Sequence, residues 1–170
     1  MPIDECANTF AELGATVLPK YMQEMRLAIQ NSRALSEFCA PRVGVRTILK
    51  RLGHRDDFSG CYVLLNDGKP FYVGISQGVV ARLRQHVTGK THFDASLAYK
   101  MACEKITHSV TRAAAMQTPA FRKAFEEAKS LLKGSFVAFI KIQNPLELYV
   151  FEAYCAMELD TFKWNTFRTH

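Results

Sequence analysis

A phenol, a guanidinium, an imidazole and a carboxylate can move protons, hold anions or bind a metal ion, and the later two-thirds of this 170-residue chain carries all four types. Tyr62 lies in GCYV and Tyr72 in YVG, ten residues apart. Arg82 and His86 follow in ARLRQH, four apart and so on one face of a helix. An arginine can hold a phosphate bidentately and oppose charge that develops in a transition state. His86 could assist proton transfer, bind phosphate or be a surface histidine. Glu152 shares a helical face with Leu148, Cys155 and Leu159. A carboxylate on an apolar face is costly unless it meets a cation, either a structural Lys or Arg or a metal ion. Tyr62 and Tyr72 are either strand aromatics or phenols aimed at a reacting group. Asn165, beside Trp164, is either a turn residue or a hydrogen bonder that fixes a site. Lys69, Arg84 and Lys90 are turn, helix and loop cations that solvation or phosphate contacts would both suit.

These residues need elements to position them. Residues 58–76 hold two β-branched and aromatic runs separated by Asn66-Asp67-Gly68-Lys69, a hairpin signal. Val79, Val80, Leu83 and Val87 form the apolar stripe of a helix over 79–88. Residues 94–103 read as a helix that Asp94 or Ser96 could cap. A further helix spans 119–133, with Pro119 at its start and Gly134 at its end. Residues 135–142 read as a strand. Asn144-Pro145 then opens a helix over 145–160, with Asn as cap and Pro at the first helical position. Ahead of the hairpin, residues 4–36 are rich in helix formers, and Pro19 is expected to end one helix and begin another. A short helix over 43–52 stops near Gly53.

The expected fold class is therefore α+β, a small antiparallel or mixed three-stranded sheet flanked by helices. Residues 1–57 form an N-terminal helical extension and residues 58–170 the principal domain. Leu13, Val17, Tyr21 and Met25, at helical spacing, would either pack on that domain or offer a face to a protein partner.

Composition narrows the field. Hydrophobic residues at 48% and charged residues at 22% exclude a disordered or fibrous chain. No stretch approaches about 18 apolar residues, which argues against a membrane span, and the acidic N-terminus argues against a secretory leader, so a cytoplasmic protein is expected. Five scattered cysteines without a CxxC pair argue against a disulfide framework and against a zinc site. Residues 1–57 hold eight Lys and Arg against seven acids, whereas residues 58–170 hold fourteen against nine. That basic surplus suits a phosphate-backbone partner. No P-loop, GxSxG or HExxH motif is present.

Residues 58–170 resemble the GIY-YIG nuclease family. CYV (61–63) stands where that family has GIY, and YVG (72–74) where it has YIG. The R-L-x-x-H pattern of the family's helix matches Arg82 through His86, and its later glutamate and asparagine match Glu152 and Asn165 by order and approximate spacing. The resemblance implies a DNA endonuclease that uses one divalent cation, Mg²⁺ or Mn²⁺, held by Glu152. It also implies Tyr62 as general base, Tyr72 as an orienting hydrogen bonder (the two roles exchangeable), Arg82 as stabiliser of the transition state, and a 5′-phosphate product. The alternatives are a nucleic-acid-binding module of this fold without catalysis, and a scaffold whose N-terminal helices bind a partner.

Overall fold

The computed structural model describes residues 2–167. In chain order the elements are α1 (Phe10–Glu12), α2 (Leu18–Gln30), β1 (Arg33–Ala34), α3 (Val45–Arg51), β2 (Gly60–Asn66), β3 (Lys69–Ser76), α4 (Val79–Thr88), α5 (Ser96–Lys105), α6 (Arg112–Gln117), α7 (Pro119–Lys133), β4 (Phe136–Lys141) and α8 (Pro145–Glu158). The class is α+β. The sheet is four-stranded, in the order β1-β4-β2-β3, rather than three-stranded. The fourth strand is only two residues long and sits inside a segment whose composition reads as helical. Among the described residues no helix is long and apolar enough to cross a membrane.

The chain folds as two compact units. The first comprises Met1–Arg33, Asp56–Val79 and Phe136–His170. Its centre is the β2–β3 hairpin, closed by Asp67 at φ 48° and Gly68 at φ 75°. Two consecutive left-handed residues make a type I′ turn, whose twist matches that of the strands. Asn66 therefore pairs with Lys69, and the ladder runs to Gly60 opposite Ser76. Leu64 pairs with Tyr72 but Leu65 with Pro70, so Phe71 is an extra residue that bulges β3. On its other side β2 pairs antiparallel with β4, Tyr62 opposite Phe139.

Alternation along the strands gives the hairpin two different faces. Cys61, Val63, Leu65 and Val73 join Ala138 and Ile140 in one core with Met22 and Met25 of α2 and Leu148, Phe151 and Cys155 of α8. Leu13, Met25, Val17 and Tyr21 all take part, so the face that could have met a partner is spent inside this unit. The N-terminal helices are thus structural members of the hairpin's core, and the chain passes between the two units at Arg55/Asp56 as well as at Arg33/Ala34.

Pro19 does not end a helix. The chain runs from α1 into α2 through one π-helical turn, Leu13–Val17, in which the Leu18 N–H reaches back to the Leu13 carbonyl. Proline has no N–H for the usual bond four residues back, and the widened turn places it in the first turn of α2, where none is needed. Thr9 and Glu12 close the start of α1 with a reciprocal capping box.

The second unit comprises Ala34–Arg55 and Val80–Ser135. Phe121, Ala124, Phe125, Ala128 and Leu132 form the buried stripe of α7, which packs on α5 and α6. Phe121 and Phe125 are 1% exposed and belong to that core. The helix after Gly89 starts at Ser96, two residues later than the sequence suggests, and neither Asp94 nor Ser96 caps it with a side chain. Asp94 instead accepts from the Thr91 hydroxyl at 2.7 Å, and Ser96 accepts from Arg82 at 2.9 Å.

Candidate active site

Tyr62 and Tyr72 come together because the register demands it. Tyr62 pairs with Gly74 and Leu64 with Tyr72, so both phenols stand on the hairpin face opposite Cys61 and Val73. Their ring centroids are 6.3 Å apart, with planes tilted by 51°. Tyr62 is buried at 1% exposed, while Tyr72 keeps part of its surface in solvent. The space for the Tyr62 ring exists because residue 74 is glycine: a Cβ there would collide with the phenol.

Gly60, which opens β2, is where the backbone needs a glycine. A Cβ at Gly60 would strike the Ile140 carbonyl across the β2–β4 ladder. The signal was present as a glycine opening an apolar strand, a mark of close backbone approach.

Asn165 is a clamp on the exposed edge of β3. Its Oδ1 accepts from the Val73 N–H at 2.9 Å, and its Nδ2 donates to the Val73 carbonyl at 2.8 Å. One side-chain amide thus makes both bonds that a neighbouring strand would have made. The chain after α8 brings it there through Thr161, which is 2% exposed, hydrogen-bonds to the Ala156 carbonyl and accepts the Asn165 N–H at 3.0 Å. Val73 is the next residue to Tyr72, so the clamp fixes the strand that carries that phenol.

Glu152 stands on α8 with partial exposure, one turn from the buried Leu148 and Cys155. Its charge is felt at Cys61 on β2, whose side chain lies on the hairpin face opposite the two phenols. The Cys61 thiol is pushed well up, first by burial, then by its hydrogen bond and charge interaction with Cys155, and then by Glu152. Among the described residues no three His, Cys, Asp or Glu side chains gather as a metal cage. A lone carboxylate still fits Mg²⁺, a hard ion that keeps several waters and completes its shell with substrate oxygens.

Arg82 and His86 belong to the second unit. Arg82 donates to the Asp94 carbonyl and the Ser96 hydroxyl, both at 2.9 Å, and to Gln85 at 3.3 Å. It therefore ties α4 to the start of α5 with three of the five guanidinium N–H groups. His86 is not a surface histidine. It is 0% exposed, and burial, reinforced by the Arg82 charge, holds its pKa down to about 3. The imidazole is neutral across the physiological range, so it supplies no positive charge to a phosphate.

Arg84 leaves the solvated face expected of it. Its guanidinium reaches the carbonyls of Val43 and of Phe38, the latter at 3.3 Å, and holds that loop to α4. A bond network of this kind is a structural use of arginine and takes the group away from phosphates. Lys69 and Lys90 are exposed. All five cysteines are free thiols.

Comparison with protein-family profiles and with curated proteins gives no match. Among solved structures the chain is similar to the GIY-YIG N-terminal endonuclease domain of UvrC from Thermotoga maritima, a point mutant bound to the catalytic divalent cation. The TM-score is 0.35 and the identity 19%, over 65% of this chain and 86% of that one. The functional reading rests on the side chains rather than on that likeness.

Proposed function

We propose that the chain is a metal-dependent DNA endonuclease that hydrolyses phosphodiester bonds. The observation that supports this most directly is the paired phenols of Tyr62 and Tyr72, accommodated by Gly74 and held by the Asn165 clamp. A core would not ordinarily need a glycine opposite a buried tyrosine and an amide clamp beside a second, partly exposed one.

Exposure divides the roles. Tyr72 reaches solvent, so we assign it the contact with the attacking water, and Tyr62 the buried support of that face. This exchanges the order in which the resemblance suggests the two act. The Tyr72 oxygen, having passed its own proton to solvent, takes a proton from the attacking water as the water oxygen bonds to phosphorus; the bond to the 3′-oxygen breaks, and that oxygen leaves as a hydroxyl protonated from solvent, with the 5′-phosphate on the other fragment. Opposing transition-state charge is the role that the resemblance gives Arg82, which in the second unit keeps N–H groups that Asp94, Ser96 and Gln85 do not use. His86 stays neutral and positions α4 rather than moving a proton. Glu152 would hold a divalent cation, which would supply Lewis-acid stabilisation of the phosphate.

Nicking of supercoiled plasmid in Mg²⁺ and in EDTA tests the reading. Wild type should nick only with the metal, and Tyr72→Phe and Glu152→Ala should each lose at least a hundredfold while circular dichroism shows them folded. Nicking that survives both substitutions overturns it. Salt-sensitive DNA binding without cleavage would leave a binding module in its place.

A further inference from the structure

The second unit contains a cleft that the proposed chemistry does not use. It encloses about 750 Å³ between the end of α4, the loop that follows, α6 and α7. That volume suits a small organic group. Lys90, His92, Phe93, Met116 and Arg122 line it, together with an ion pair of Lys129 and Glu126.

The charges in the lining are not equivalent. The Lys129 ammonium is only 11% exposed, sits 2.9 Å from Glu126 and donates to the Gly89 carbonyl at 3.0 Å, so both members of that pair are committed. Lys90 is exposed, and Arg122 gives only its Nε, at 3.4 Å, to the Met116 carbonyl. Lys90 and Arg122 are therefore the positive charges the cleft can offer to an anion.

Phe93 supplies the other half of the chemistry. It is 74% exposed, so its ring is open to a ligand. The His92 ring lies behind it with centroids 4.0 Å apart, and His92 in turn lies 5.7 Å from the ring of buried Tyr99. Phe93 is thus a backed, outward π face beside two available cations. An aromatic platform next to cations is how proteins hold single-stranded nucleic acid. In a duplex both faces of a base are already stacked, so only an unpaired base can lie on such a ring.

We propose that this cleft receives one unpaired nucleotide of a DNA strand, its base against Phe93 and its phosphate between Lys90 and Arg122. The nuclease reading is needed only for the choice of DNA as the polymer. A free nucleotide has the same chemistry and is separated from the strand by the test.

Fluorescence anisotropy of a labelled oligothymidylate and of a duplex of equal length, in EDTA with the full chain, tests this independently of cleavage. Phe93→Ala should weaken the single strand about tenfold and the duplex much less. Lys90→Glu with Arg122→Glu should weaken it too and lower the slope of log affinity against log salt by about 0.7, as expected for one single-strand phosphate. Competition by thymidine monophosphate would mean that the cleft takes a nucleotide by itself. Competition only by longer strands would mean that it needs the polymer, and either result supports the site. Single-strand binding unchanged in Phe93→Ala overturns the proposal, as does an equal loss for duplex and single strand in every variant. If wild type binds no strand, the cleft proposal fails even where metal-dependent nicking is seen, and binding without nicking fails the nuclease reading alone.

Discussion

The side-chain amide of Asn165 grips Val73 by both its backbone N–H and its carbonyl, at 2.9 and 2.8 Å, and so finishes the outer edge of β3 without a further strand. Asn165→Ala should lower stability by about 1–3 kcal/mol, the net worth of two such bonds. Asn165→Asp should be no better, because a carboxylate can accept from the Val73 N–H but faces the Val73 carbonyl with no proton to give. Urea unfolding of the two variants checks both values. In the endonuclease reading both should also lose nicking activity at a temperature where they remain folded, because Tyr72 is the next residue to Val73.

Gly74→Ala should destabilise the hairpin by about 1–3 kcal/mol, since the new methyl overlaps the Tyr62 phenol. In the double variant with Tyr62→Leu the added cost of the alanine should largely vanish. The cycle of four proteins measures that coupling directly, and additive effects would contradict the packing described.

His86 makes the fold acid-sensitive. Its pKa is about 3 in the folded chain and about 6.5 in an unfolded one. The depressed folded value means that the unfolded state binds the proton first, so stability is lost as pH falls from about 6.5 toward 3. Between pH 7 and pH 5 the loss should be about 2 kcal/mol. Urea midpoints at the two pH values read it, and His86→Gln should flatten the difference. The His86 ring resonance in NMR should also fail to titrate between pH 7 and pH 4.

Tyr21 donates to Glu147 at 2.6 Å, and Asn8 donates to the same carboxylate at 2.8 Å. This is what ties the N-terminal helices to α8. Burial first, then the Glu147 hydrogen bond and charge, raise the Tyr21 pKa. A raised folded pKa adds stability that is present below the unfolded value near 10 and is lost as pH rises past it. Tyr21→Phe should cost about 1–3 kcal/mol at neutral pH and weaken the alkaline sensitivity, as thermal unfolding at pH 7 and pH 10.5 would show.

Local chemistry made much of this legible beforehand. Asp67-Gly68 dictates its turn, Asn144 caps α8 by accepting from the Glu147 N–H at 3.0 Å, and α7 spans Pro119–Lys133 as its periodicity requires. What was not legible depends on partners distant in the chain. Two residues of β1 carry no periodicity, and their pairing with β4 decides that they are a strand. Arg84 looks solvated until Phe38 and Val43 present their carbonyls. His86 looks like a surface residue because its helix shows an incomplete stripe, and only packing reveals that the stripe includes it. The Pro19 reading failed for a local reason of another kind: a π turn leaves no mark in residue type.

The two units are threaded through one another in sequence. The first is assembled from three separate stretches of chain and the second from two, so the polypeptide passes between them at four junctions. On a ribosome the N-terminal helices emerge more than a hundred residues before α8, whose Leu148, Phe151 and Cys155 complete their core. Met22 and Met25 must wait, with part of their apolar faces uncovered, until α8 has been made. Such a chain pays its loop-closure entropy late and folds slowly. It should therefore depend on holdase chaperones during expression.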